Sequence, residues 1–60
     1  MDTLFDDAVE VYRKYCKKNL LIYSQPSDIL SEIGSRYVYL TNINGRLARY
    51  EIKTGEILVP

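Results

Sequence analysis

The hydrophobic period of this chain changes once along its length, and that change limits what it can fold into. Over residues 4–18, Leu4, Phe5, Ala8, Val9, Val11, Tyr12, Tyr15 and Cys16 fall on one side of a helical wheel. Asp6, Asp7, Glu10, Arg13, Lys14, Lys17 and Lys18 fill the other. From Tyr37 onward the period is two, punctuated first by Asn44 and Gly45 and then by Thr54 and Gly55. An amphipathic helix followed by a meander of strands is an α+β arrangement.

The helix is predicted over about residues 3–18, with Thr3 or Asp2 as N-cap and Asn19 closing its end. Acidic residues then sit near the positive end of the helix dipole and lysines near the negative end, with Glu10 and Lys14 as an i,i+4 pair. Leu20, Leu21, Ile22 and Tyr23 form a short apolar run that reads as a buried strand over about 20–23. A second, short helix is predicted over about 25–33, capped by Ser24 or Ser27, started by Pro26 and stopped by Gly34. Three antiparallel strands follow, over about 37–42, 46–53 and 56–59.

The register of those strands decides which side is buried. A three-residue loop of Ile43, Asn44 and Gly45, closed by a bulge, gathers Val38, Leu40, Ala48, Tyr50 and Ile52 on one face. Setting Ile52 opposite Ile57 and Tyr50 opposite Val59 extends that face. Thirteen residues, 24–36, are just enough for a crossover that makes strand 20–23 parallel to strand 37–42. The expectation is one small domain with a mixed sheet and both helices packed on one of its faces. Pairing of strand 20–23 with the C-terminal strand stays open as the alternative.

Composition narrows the chemistry. Sixty residues suffice for one core, and a domain of that size buries only about 60% of the surface of its unfolded chain. One cysteine and no histidine leave neither an internal disulfide nor a soft-ligand set for zinc or iron, so an efficient core or self-association has to supply stability. The lack of histidine also removes Ser-His and Cys-His catalysis. Asp6 with Glu10 and Asp28 with Glu32 are ordinary helix-surface carboxylate pairs, short of the oxygens that calcium requires. Cys16 lies on the apolar stripe and reads as a packing residue. Gly34, Gly45 and Gly55 stand singly at turns, so no phosphate-cradling loop is formed. No enzyme, no metal and no cofactor is expected.

Residues 50–58, YEIKTGEIL, resemble the strand, turn and strand unit that recurs in β-propeller repeats. The unit occurs once here, and propellers need several copies, so the resemblance implies a hairpin and carries no function. Met1 is followed by an acidic stretch without the basic and apolar regions of a signal peptide, and no apolar run reaches the roughly 18 residues of a membrane span. A cytoplasmic location follows as an expectation, with no membrane and no small-molecule substrate in view.

The sheet face opposite the core is predicted to carry Tyr37, Tyr39, Thr41, Leu47, Arg49, Glu51, Lys53, Glu56 and Leu58. Tyrosine and arginine are enriched where proteins bind one another, so Tyr37, Tyr39, Leu47 and Arg49 are the candidate contacts to a protein partner or to a second copy in a homodimer. The competing reading is that cross-strand aromatics merely stabilise a half-exposed sheet. A further alternative is nucleic-acid binding through Arg36, Arg46 and Arg49, interleaved with Tyr37, Tyr39 and Tyr50, where residues 42–46 resemble the wing of a winged-helix protein. Eight Lys and Arg against eight Asp and Glu weigh against it, because the molecule as a whole has no long-range attraction for phosphate.

Overall fold

The computed structural model describes residues 3–59. Helix α1 (Thr3–Lys18) is followed by four strands, β1 (Glu32–Ile33), β2 (Tyr37–Asn42), β3 (Gly45–Glu51) and β4 (Ile57–Leu58), in one sheet of order β1-β2-β3-β4. Every pairing is antiparallel. Helix α1 lies across one face. Ala8, Tyr12 and Cys16, each one turn beyond the last, meet Val38, Leu40 and Ala48 of the sheet in a closed core. Phe5, Val9, Tyr50, Ile52 and Ile57 pack around it.

The predicted helix is present with its charge order intact. Glu10 accepts from Arg13 at 3.3 Å and forms an ion pair with Lys14 at 3.7 Å, and Lys17 and Lys18 occupy the last turn. The expected N-cap at Asp2 or Thr3 lies outside the described side chains. At the other end the Leu20 N–H donates to the Lys17 carbonyl and the Leu21 N–H to the Cys16 carbonyl. This pair of bonds is a Schellman motif, with Asn19 as the helix cap and Leu20 in the left-handed position at φ 57°.

Two expectations fail between residues 20 and 36. Residues 20–23 form no strand; Leu20 and Ile22 are 93% and 91% exposed, while the Tyr23 ring packs 5.6 Å from that of Tyr12. The helix over 25–33 is reduced to one turn. Ser27 caps it as expected, its hydroxyl accepting from the Leu30 N–H and its carbonyl from the Ser31 N–H. The turn then stops because Glu32 and Ile33 pair with Tyr39 and Val38 as β1. Gly34, expected as a helix stop, opens the β1–β2 turn, its N–H donating to the Tyr37 carbonyl. The sheet is therefore antiparallel throughout, and neither the parallel crossover nor the pairing of residues 20–23 with the C-terminal strand occurs.

The reason is local. The Thr41 N–H donates to the Ser31 hydroxyl, and the Thr41 carbonyl accepts from the Ser27 N–H and the Ser31 hydroxyl. A capping serine and its neighbour thus take the backbone bonds that another strand would need.

The core face of the meander is the predicted one: Val38 stands opposite Tyr50 and Leu40 opposite Ala48. The route to it differs. Asn42 pairs with Gly45 around Ile43 and Asn44, Thr41 pairs with Arg46, and the register shifts between Leu40 and Thr41, leaving Leu47 as the extra residue. Gly45, at φ 109°, supplies the backbone that this turn requires. At the second turn Tyr50 pairs with Ile57 and Arg49 with Leu58. That register is two residues away from the predicted one, because residues 52–54 are spent in a turn closed by Gly55 at φ 76°. A shift of two keeps Tyr50 and Ile57 facing inward, whereas Val59, expected on the core face opposite Tyr50, lies beyond β4 and is exposed.

Candidate binding face

Nothing covers the other side of the sheet among the described residues. On it Tyr37 and Tyr39 alternate with the buried Val38 and Leu40, and Arg49 stands opposite Tyr39. Their rings are 5.9 Å apart and tilted by 46°. Three arginines lie over them: Arg46 is 4.4 Å from the centre of the Tyr39 ring, and Arg49 and Arg36 are 5.2 and 5.4 Å from that of Tyr37. Each arrangement is a cation–π contact, and the series forms one continuous row across β2 and β3.

The bulge determines who belongs to this row. On an unbroken strand Arg46 and Arg49, three positions apart, point to opposite faces. With Leu47 taken out of the alternation, Arg46 pairs with Thr41 and joins Arg49 on the outer face. Leu47, expected on that face, is instead half-buried and packs against the core cluster. Sequence alternation alone assigns Leu47 outward and leaves Arg46, the first residue of the strand predicted over 46–53, off that face. The signal that reverses both is Gly45 immediately before them, which permits a bulge but does not say on which residue it falls.

The arginines differ in what neutralises them. Arg36 donates to Glu51 at 3.1 Å, and the second carboxylate oxygen of Glu51 accepts from the Thr54 hydroxyl at 2.9 Å. The Thr54 hydroxyl first, and then Arg36, hold the Glu51 carboxyl below its ordinary range. Among the described residues, Arg46 and Arg49 have no carboxylate partner. Together with Leu58 and Val59 they line a surface pocket of about 170 Å³.

A wider open groove of about 780 Å³ runs on another side, between Phe5 and Asp6 of the helix and Gln25, Pro26, Ser27, Asp28, Ser31 and Ile33. It holds no cation and no ordered aromatic row. Asp28 and Glu32, expected on one helix face, are separated by the turn that ends before β1, with Glu32 now opposite Tyr39. No helix among the described residues is long and apolar enough to cross a membrane. No family model, curated protein or solved structure matches the chain.

Proposed function

We propose that this protein is a small non-catalytic interaction module that binds an acidic surface of a partner protein through the outer face of its sheet. What carries the reading is the row of Tyr37, Tyr39, Arg46 and Arg49. Its guanidinium groups lie over its rings, and among the described residues Arg46 and Arg49 have no carboxylate partner. Preordered aromatic and arginine side chains lose little freedom on docking, which is why they dominate binding hot spots.

A single strand of nucleic acid would need open ring faces for its bases and cations tracking its phosphates. Here guanidinium groups already lie over both rings, Arg36 is engaged by Glu51, and the chain has no net charge. These features favour a protein partner over the nucleic-acid alternative.

The test compares wild type with a Tyr39→Ser, Arg49→Glu double variant in affinity capture and in light scattering across concentration. The expected result is a partner captured by wild type and lost by the variant, at unchanged helix content. A mass that rises with concentration in wild type alone identifies that partner as a second copy. A wild type that stays monomeric and captures nothing sinks the proposal.

A further inference from the structure

Arg46 and Arg49, which have no carboxylate partner among the described residues, owe their shared position to one extra residue. The bulge at Leu47 cancels the alternation that would separate Arg46 from Arg49, and bulges recur where a strand has to re-aim a side chain. Each guanidinium is then backed by a ring, Tyr39 at 4.4 Å for Arg46 and Tyr37 at 5.2 Å for Arg49. Among the described residues neither guanidinium is engaged by a carboxylate, so its N–H groups are available to an acceptor. Both arginines line one pocket whose remaining walls are the aliphatic Leu58 and Val59.

We infer that Arg46 and Arg49 form a carboxylate clamp, which receives the side chain of a glutamate or aspartate presented by the partner protein. The carboxylate accepts from the two guanidinium groups, and its methylene stem lies against Leu58 and Val59. The pocket's 170 Å³ is below the roughly 300–1,000 Å³ of sites for drug-sized ligands, so it takes one side chain and not a nucleotide. The clamp rests on reading the outer face as a docking surface, and it specifies the chemistry at the centre of that surface. Arginine is required at both positions, because lysine keeps the charge but loses the planar fork and the stacking.

The experiment follows the side-chain Nε–Hε resonances of the arginines in the full chain by NMR. The probes are N-acetylglutamate N-methylamide, its glutamine counterpart and inorganic phosphate. The glutamate compound should shift Arg46 and Arg49 saturably and leave Arg36 in place, and the glutamine compound should shift none of them. Arg46→Lys and Arg49→Lys, checked for an unchanged urea midpoint, should each weaken the glutamate response by roughly tenfold or more.

Absence of a saturable shift at Arg46 and Arg49 overturns the clamp. So does an undiminished response in both lysine variants. Phosphate saturating at a much lower concentration than the glutamate compound also overturns it, by assigning the pair to a phosphate-bearing ligand. If Tyr39→Ser, Arg49→Glu abolishes partner capture while wild type gives no glutamate shift, the clamp fails and the docking face stands. A glutamate shift without any captured partner is the reverse case.

Discussion

Leu20 holds a position that the backbone reserves for glycine. It sits at φ 57° as the left-handed residue of the Schellman motif that ends α1, and its side chain is 93% exposed. A residue with a Cβ costs roughly 1–2 kcal/mol in that conformation, and so exposed a leucine recovers little of it by packing. Leu20→Gly should therefore stabilise the protein by about 0.5–1 kcal/mol after the extra freedom of glycine in the unfolded chain is counted. Leu20→Val, β-branched at the same φ, should destabilise it. Urea midpoints of the two variants, moving in opposite directions from wild type, check the assignment. Glu51 makes a second residue-scale prediction. Its carboxyl is held below the ordinary range by Thr54 and Arg36, so its contribution is present above the unfolded carboxylate pKa and is lost as pH falls through the lower folded value. Glu51→Gln should flatten the fall of the urea midpoint as pH drops below about 4.3, the unperturbed glutamate value. An identical slope in variant and wild type would show that the carboxyl is not held.

At the scale of elements, the link between α1 and the sheet hangs on Ser31. Its hydroxyl accepts from the Thr41 N–H at 3.0 Å and donates to the Thr41 carbonyl at 3.2 Å, in a partly buried position. Ser31→Ala leaves the amide without an acceptor, a loss of about 1–3 kcal/mol, and it should raise hydrogen exchange at Thr41 well above that at Leu40. Equal protection of Thr41 in both proteins would contradict the assignment. The same bonds explain what sequence could and could not tell. The helix over 3–18 and the strand at 37–42 were legible because their periods are long and uninterrupted, and with them the buried Val38, Leu40 and Ala48. Residues 20–33 were not, since a four-residue apolar run and a single capped turn have no period of their own. Their fate was decided by a side chain, Ser31, bonding ten residues away. The outer face was legible in Tyr37, Tyr39 and Arg49. The exchange of Leu47 for Arg46 was not, because one bulged residue inverts the alternation on which that reading depends.

Among the described residues the molecule is one helix on one sheet, so the two sheet faces meet different surroundings. Among the described residues, the buried hydrophobic ones lie between α1 and the inner face, while the outer face holds arginines over half-buried rings. A domain of this length is stable by about 3–9 kcal/mol at the usual 0.05–0.15 kcal/mol per residue, so its core has little reserve. Leu40, fully buried, is the sharpest probe. Leu40→Ala should cost about 2–5 kcal/mol and remove a large share of that stability, with a matching fall in the urea midpoint. Tyr39, adjacent in sequence and pointing the other way, gives up one cation–π contact and part of its half-buried ring, so Tyr39→Ser should cost about 1 kcal/mol and leave the fold in place. Circular dichroism and urea titration of the two variants side by side test that division. A Tyr39→Ser protein as destabilised as Leu40→Ala would mean that the tyrosine and arginine row holds the sheet together, and the case for an outer face kept for a partner would fall with it.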